Sequence, residues 1–375
     1  MKPPCVPPPP AKSRSRASTG GKAAVTEAGL SQAGPRATVT LLGHPDAERQ
    51  WQEAAASGRL HHAWLITGPP GIGKATLAYR FARHLLAGAP AGSLAMDGSH
   101  PLFRRIKAGS HPDFLALERQ MDAKKGRLRH DILVEDVRRI APFLRLTPAE
   151  SPWRVALVDG AERMNDSGFN AVLKILEEPP VGAVLLLVAD NPGALLPTIR
   201  SRCRKLVLNP LPETTVSTLL AQQCPELAPA ERDALARLGE GSIGRARTLA
   251  ESGGLALYQE ILDLLATLPR LDRVAVHGFV ERLARRNDET AFETTYGLIQ
   301  WCLERLIRAL ARGALPAAVL EREGALLARL GRERSLDRWL EVWENSKALF
   351  RQAEVASLDR RQVLLNVLLA LEPSA

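Results

Sequence analysis

A glycine-rich run ending in lysine is the part of this sequence whose residue types and spacing most directly predict chemistry. Residues 68–76 read GPPGIGKAT and match the phosphate-loop pattern G-x-x-x-x-G-K. Gly68, Gly71 and Gly73 allow successive backbone N–H groups to turn toward a phosphate, and Lys74 would reach the β- and γ-oxygens of a nucleoside triphosphate. An apolar run precedes the loop and a helical pattern follows it, so the sequence predicts an ATP-binding fold here.

The loop lacks the hydroxyl that holds magnesium in working sites of this type. That position, directly after Lys74, requires Ser or Thr but holds Ala75. Thr76 comes one residue late, about 100° further round the helix, and is not expected to substitute.

A second apolar run carries the acidic half of such a site and is also incomplete. It ends in Asp159, which can orient magnesium, but Gly160 stands where a carboxylate would polarise the attacking water. Glu162, three positions after Asp159, is expected to face elsewhere unless the turn between them is unusual. The two departures predict a loop kept for shape, or for holding ATP without hydrolysis.

The elements that must position these residues are strands alternating with helices. The apolar runs are rich in Val, Leu and Ile without strict alternation, as in strands buried on both faces of a parallel sheet. The predicted strands are 63–67, 113–117, 154–158, 183–189 and 205–208, and the predicted helices are 75–86, 134–144 and 166–176. This order predicts an α/β domain with helices on both faces of the sheet.

After Pro210 the strand patterns stop and helical periods continue to the end of the chain. The predicted helices are 212–223, 229–238, 242–251, 255–268, 273–286, 289–312, a segment near 315–330, and 336–371. The sequence therefore predicts four regions: a disordered tail over 1–40, an α/β domain over 41–209, a small helical domain over 210–253 and an all-helical domain over 254–375.

Composition excludes several classes of protein. The formal charge is +9, but the first 40 residues hold six cations and one anion, so the remaining 335 residues carry only +4. A histone-type nucleic-acid coat is excluded, while a local phosphate-binding face is not. Four scattered cysteines without a CxxC pair indicate a reducing compartment. With no apolar run of membrane-spanning length and no secretory signal, a cytoplasmic protein is expected.

The first 40 residues hold seven of the 27 prolines, interspersed with Ala, Ser, Gly and Arg. Such a segment buries too little apolar area to offset its ordering entropy. A disordered tail and a start codon assigned too early both fit this composition, and a nucleic-acid-binding arm is a further alternative.

Three segments resemble the bacterial DNA polymerase III clamp-loader AAA+ family. Residues 168–180 read GFNAVLKILEEPP, residues 195–203 read LLPTIRSRC, and residues 43–74 resemble the beginning of that fold. The resemblance covers about residues 41–249, and the helical remainder suits the family's collar domain. It implies an AAA+ domain, a helical lid domain over 210–253 and a collar over 254–375.

Within the family, the chain is most similar to the subunit that combines a degenerate nucleotide site with an intact Ser-Arg-Cys motif. The resemblance implies a ring-closing role, with Arg202 acting as an arginine finger on the ATP of a neighbouring subunit. The implied partners are the gamma/tau motor and delta subunits, the sliding clamp, the polymerase III core and primed DNA. The chain would thus serve a DNA-directed DNA polymerase while itself lacking polymerase, exonuclease and ATPase activity.

The alternative for Arg202 is a solvated basic patch shared with Arg200, Arg204 and Lys205. Cys203 is expected to be a packed thiol, because no histidine that would activate it is evident. The basic clusters at 104–107, 124–127 and 138–139 are either DNA contacts or plain surface. Trp339, Trp343 and Phe350 form a stripe expected in the collar core or a subunit interface.

Two further departures from the family pattern concern a metal and a phosphate sensor. Members of the family, of the gamma type and of the type this chain resembles, usually carry a four-cysteine zinc module, but residues 87–113 contain no cysteine, and Leu94, Asp97 and His100 occupy ligand positions. No zinc is expected, although His100, Asp97 and His111 are residue types that can ligate it. The phosphate-sensing arginine of active relatives is replaced by Gly244, with Arg245 offset by one residue.

Rival functions remain open on the sequence. One is an ATPase-active motor subunit of the same loader. Another is a P-loop nucleotide kinase, which would not need the LEEPP and Ser-Arg-Cys motifs. A free-standing DNA-binding module is a third, and it is disfavoured by the low charge of residues 41–375.

Overall fold

A five-stranded parallel sheet forms the centre of the amino-terminal half of the protein. A computed structural model describes residues 34–122, 127–129, 131–285, 289–356 and 359–372. The strands are β1 (Ala63–Thr67), β2 (Phe114–Leu117), β3 (Met121–Asp122), β4 (Arg127–Leu128), β5 (Arg154–Asp159), β6 (Ala183–Ala189) and β7 (Arg204–Val207). The sheet order is β2-β5-β6-β1-β7, while β3 and β4 pair separately as an antiparallel ribbon.

Helices connect most of the strands along the chain and make up the carboxy-terminal half. They are α1 (Pro45–Ala56), α2 (Lys74–Leu86), α3 (Pro101–Ala108), α4 (Val134–Arg138), α5 (Ile140–Arg145), α6 (Asp166–Glu177), α7 (Pro197–Ser201), α8 (Glu213–Gln223), α9 (Pro229–Leu238), α10 (Ile243–Glu251), α11 (Gly254–Ala266), α12 (Arg273–Arg285), α13 (Glu289–Arg312), α14 (Glu323–Glu333), α15 (Leu336–Ala356) and α16 (Arg360–Leu369).

The sheet is covered on both faces, as its apolar runs predicted. Alternate residues of β1 enter opposite cores: Trp64 packs with Trp51 and Phe81, whereas Leu65 packs in a second cluster with Phe169. Every residue of β1 and β6 is buried. This parallel sheet with helices on both faces, followed by a helical carboxy-terminal region, confirms the predicted fold class.

The carboxy-terminal helices share one hydrophobic core that runs from Leu211 to Leu371. Its residues come from both sides of residue 253, so apolar packing joins the predicted lid to the predicted collar. The boundaries at 209 and 253 remain predictions. Trp339 is fully buried in this core, and Phe350 packs against it while stacking on Tyr296 with ring centroids 3.7 Å apart.

Two helices predicted as continuous are interrupted. The helix expected over 134–144 is divided into α4 and α5 at Arg139. Pro142 has no backbone N–H, and the division places it in the first turn of a new helix, where none is needed. Similarly, the helix predicted over 336–371 is two helices, α15 and α16, with the Asp359 side chain capping the second. The helix expected near 315–330 begins only at Glu323.

The predicted tail needs a correction at its end. Residues 34–40 pack on α2: Arg80 donates to the Val39 carbonyl at 3.0 Å and Arg83 to the Thr38 carbonyl at 3.2 Å. Pro35–Ala37 form a short 3-10 helix. Residues 34–40 therefore belong to the folded part of the protein, and the rest of the predicted tail lies outside the described residues.

Candidate nucleotide site and arginine finger

The phosphate loop joins the carboxyl end of β1 to the amino end of α2. Gly71 has a φ of +74°, in the left-handed region, and a Cβ there would lie 2.4 Å from the Ser242 Oγ and 3.0 Å from the Gly244 Cα. Gly73 has a φ of +102° and caps α2. Both glycines are therefore needed by the backbone path, and Gly71 is needed also by the close approach of α10.

A cavity of about 300 Å³ opens beside this loop. Five of the predicted site residues line it, whereas Gly68 does not. The five are Gly71, Gly73, Lys74, Thr76 and Asp159. Its apolar wall comes from residues that precede α1 and from residues of the carboxy-terminal half, namely Leu41, Leu42, Leu211, Leu219 and Ile243. The cavity thus has a polar end at the loop and an apolar wall, as a nucleotide requires.

Lys74, the residue expected to hold phosphate, is engaged within the protein. Its side chain is only 4% exposed, and its Nζ lies 2.6 Å from the Asp190 Oδ1. It also donates to the Pro69 carbonyl of the loop itself. A phosphate would therefore have to displace or share these two partners.

Three neighbouring strands end in carboxylates at this edge of the sheet. Asp159 ends β5, Glu118 follows β2 and Asp190 follows β6. Burial, together with the charges of Glu118 and Asp190, raises the pKa of Asp159 to about 6, against the opposing effect of Lys74. The carboxylates oppose the binding of a further polyanion unless a cation accompanies it.

The sequence suggested that Glu162 faces away from the site, but the structure places it beside Asp159 and Asp190. Gly160 adopts a φ of +83° and Ala161–Arg163 form a 3-10 turn, which brings Glu162 to a second cavity of about 270 Å³, shared with Asp159 and Asp190. The Glu162 carboxylate accepts the Asp190 backbone N–H at 3.2 Å. The turn is the unusual case that the prediction excepted, because the left-handed Gly160 folds the chain back toward the strand end.

The lid helix α10 is bonded directly to the phosphate loop. The Ser242 hydroxyl donates to the Pro70 carbonyl at 2.8 Å, and the Gly244 N–H donates to the Gly71 carbonyl at 2.9 Å. A Cβ on Gly244 would lie 2.8 Å from the Gly71 Cα. Gly244 therefore allows a backbone contact that a larger residue would block.

The arginines of α10 differ in their placement. Arg245 pairs with Glu240 at 3.2 Å and does not line the cavity, whereas Arg247, one turn after Gly244, does. Sequence reasoning missed Arg247, together with Asp190 and Glu118. The signal for the two carboxylates was present, since each directly follows an apolar run of a parallel sheet.

Arg202 lies at the opposite edge of the sheet from the phosphate loop. It follows α7 and precedes β7, which pairs in parallel with β1 so that Trp64 aligns with Arg204. The Ser-Arg-Cys motif is therefore at the amino ends of the strands and the loop is at their carboxyl ends. The length of β1, on the order of 15 Å, separates the two edges.

The guanidinium of Arg202 is held between the end of α6 and the short helix α7. Its Nη2 lies 3.2 Å from the Glu177 Oε1 at the end of α6, and its Nη1 donates to the Thr198 carbonyl of α7 at 3.2 Å. The Arg202 side chain is 39% exposed. Arg204, by contrast, stacks over the Trp64 ring at 4.6 Å, so the two arginines have different surroundings.

Cys203 is buried beside Arg202. Burial raises the pKa of its thiol to about 12. A thiol this resistant to ionisation is a poor nucleophile, which agrees with the predicted packing role.

The side chains at the family's zinc positions are engaged elsewhere. Leu94 is 3% exposed in the core, Asp97 accepts the Ser99 N–H at 2.7 Å, and His100 caps α3 by accepting the Leu102 N–H at 3.2 Å. Across the described ranges, no three His, Cys, Asp or Glu side chains cluster as metal ligands would.

Two of the three basic clusters are partly neutralised. Arg105 forms a paired contact with Glu150 at 2.6 and 2.9 Å, and Arg139 pairs with Asp136 at 3.3 Å. Lys124 and Lys125 of the remaining cluster lie outside the described residues. DNA contact by these clusters stays a prediction. None of the helices, so far as the structure describes them, is long and apolar enough to cross a membrane.

Comparison with known proteins agrees with this architecture. Residues 43–212 match the family model described as DNA polymerase III, delta subunit. The chain is 31% identical to DNA polymerase III subunit delta' of Escherichia coli over 88% of this chain and 93% of that protein. The chain belongs to the delta-prime family of DNA polymerase III subunits. It is therefore a clamp-loader subunit, as its motifs predicted.

Two further relatives are a second delta' subunit and a gamma/tau subunit. It is 36% identical to the delta' subunit of Pseudomonas aeruginosa over 56% of this chain and 62% of that protein. It is 28% identical to subunit gamma/tau of Mycobacterium bovis over 91% of this chain and 62% of that one. The chain thus spans less than two thirds of these two proteins.

Proposed function

We propose that this delta-prime chain closes a clamp-loader ring, supplies Arg202 to the ATP bound by a neighbouring subunit and does not turn over nucleotide itself. The observation that carries the proposal is the placement of Arg202 at the edge of the sheet opposite its own phosphate loop. A side chain of arginine length cannot cross that distance, so any ATP it touches must belong to another chain. Its planar, permanently charged guanidinium suits a transferring phosphoryl group.

Four features of the chain's own site support the absence of turnover. Ala75 lacks the magnesium hydroxyl, Gly160 lacks the adjacent carboxylate, and Lys74 is paired with Asp190. The fourth is the pair of hydrogen bonds that join α10 to the loop. The first three features remove or occupy a group that phosphoryl transfer uses, and the fourth ties α10 to the carbonyls of the loop.

The partners follow from the same role. The motor subunits would be gamma/tau chains, which resemble this chain in sequence, and delta would complete the ring. Through the assembled complex the chain would act on the sliding clamp, the polymerase III core and primed DNA in the cytoplasm. Bound ATP without hydrolysis is compatible with the cavity and is part of the proposal.

Reconstitution tests the finger. The full chain is mixed with gamma/tau, delta, clamp and primed DNA, and ATPase and clamp loading are measured. Arg202→Ala should leave the chain folded and the complex assembled but lower both activities, since fingers contribute about 10³–10⁵ in rate in well-studied NTPases. Arg202→Lys should rescue poorly, because an ammonium cannot present the planar fork.

Arg200→Ala is the matched control, an arginine two residues earlier on α7. A generic basic patch would make both alanine variants equally harmful, with losses that disappear at low salt. Equal, salt-sensitive losses would therefore reject the finger.

One observation favours an ATPase-active motor subunit as the second candidate. Glu162 shares a cavity wall with Asp159 and so supplies a carboxylate near the position that Gly160 leaves without one. ATP turnover by the purified chain alone distinguishes the two, because a finger donor needs a partner's nucleotide. Membership of the delta-prime family argues against the nucleotide kinase.

A further inference from the structure

Glu177 is the first acidic residue of the LEEPP motif, whose contribution the proposed function does not explain. It is the last residue of α6, and its carboxylate lies 3.2 Å from the Nη2 of Arg202. Glu178, the next residue, is exposed and caps the helix. The motif and the Ser-Arg-Cys motif therefore meet through one ion pair.

An acidic side chain is unfavourable at this place unless a cation accompanies it. The carboxyl end of a helix carries a partial negative charge, so Glu177 adds a like charge to the end of α6. Arg202 relieves this repulsion, and it also donates to the carbonyl of Thr198, the second residue of the short helix α7. The guanidinium thus lies where the end of α6 and the Glu177 carboxylate both favour a positive charge.

These two anchors leave most of the guanidinium available. An arginine side chain has five N–H donors, of which Glu177 and Thr198 each accept one, so about three remain for a phosphate. An arginine without anchors would sample many rotamers and would have to be ordered when the next subunit docks. Anchoring removes part of that cost in advance.

We infer that Glu177 is a positioning residue that aims Arg202 at the ATP of the neighbouring subunit. The inference rests on the proposed function and deepens it. The opposite role, a latch that withholds the finger, does not fit the exposure of the pair. The Arg202 and Glu177 side chains are 39% and 53% exposed, and an ion pair so open to solvent contributes little free energy. It is too weak to hold back an arginine whose contact with the phosphate raises the rate by orders of magnitude.

The test compares Glu177→Ala with Glu178→Ala in the reconstituted complex containing the full chain. Glu177→Ala should lower the DNA-stimulated kcat about two- to fivefold, the range that an exposed ion pair supports. KM for ATP should stay unchanged, since the neighbour's own loop holds the ground-state nucleotide. Glu177→Gln keeps an acceptor oxygen and should recover part of the rate. Glu178→Ala should match the unsubstituted chain.

A double variant separates positioning from a general structural effect. Glu177→Ala combined with Arg202→Ala should be no slower than Arg202→Ala alone, because Glu177 acts only through the arginine. Gel filtration and thermal unfolding confirm that each variant folds and assembles.

Each other outcome rejects the inference in a recognisable way. Losses that add in the double variant would show that Glu177 acts independently of Arg202. A normal or increased rate in Glu177→Ala, with Arg202→Ala still impaired, would reject positioning while leaving the finger intact. A normal rate in Arg202→Ala would overturn the finger and the positioning role together.

Discussion

The pairing of Lys74 with Asp190 leads to a prediction about nucleotide affinity. Asp190→Asn keeps the shape of the side chain and removes its charge, so the Lys74 ammonium would be free to attract a phosphate. The variant should therefore bind ATP more tightly than the unsubstituted chain. Turnover should not appear, because Ala75 still lacks the magnesium hydroxyl.

The size of the effect follows from distance and exposure. Lys74 and Asp190 lie 2.6 Å apart, with Lys74 4% exposed and Asp190 48% exposed. Two charges at 4 Å interact by about 4 kcal/mol near a protein surface, and solvent at Asp190 reduces the recoverable part to on the order of 1–2 kcal/mol. That free energy corresponds to about five- to thirtyfold tighter binding.

Calorimetric titration of ATP into the purified chain measures this change. Glu162→Gln is the control, since it removes a carboxylate from the neighbouring cavity without touching Lys74. An equal gain in both variants would point to general charge relief. The reasoning would be refuted by an unchanged affinity in Asp190→Asn, or by a gain that survives Lys74→Ala.

Three further predictions concern hydrolysis, metal and pH. The isolated chain should show no ATPase above background, and Ala75→Thr alone should not restore it because Lys74 stays paired; steady turnover that is lost in Lys74→Ala would contradict this. Elemental analysis should find no stoichiometric zinc, and about one zinc per chain, lost in His100→Ala, would show the opposite. The pKa of Asp159 is raised to about 6 in the folded chain, against about 3.9 in the unfolded chain. Because the folded state therefore favours the protonated carboxyl, the contribution of Asp159 to stability is most favourable below about pH 4 and is lost as pH rises to about 6. Asp159→Asn should then raise the free energy of unfolding by on the order of 3 kcal/mol at pH 8 and by little at pH 4, as urea titrations can measure.

Local patterns were sufficient to predict the strands and most of the helices. Strands β1 and β6 have the predicted bounds, because a run of apolar residues between a turn and a glycine has few alternatives to a buried strand. The position of the phosphate loop followed from the same local signal. Helix ends near proline were less predictable, as at Arg139, since the break depends on where the next helix packs.

Contacts between distant segments were decided only by the tertiary structure. No local pattern places Asp190 on Lys74, Ser242 on Pro70, or Glu177 on Arg202, because the two residues of each pair are far apart in the chain and meet only through the packing of the folded protein. The turn at Gly160 likewise redirects Glu162 through a left-handed φ that the residue type permits but does not require. The sequence by itself determined which residue types are present and which are missing from the site; the fold determined which of them meet, because parallel strands bring residues that are far apart in the chain to one edge of the sheet.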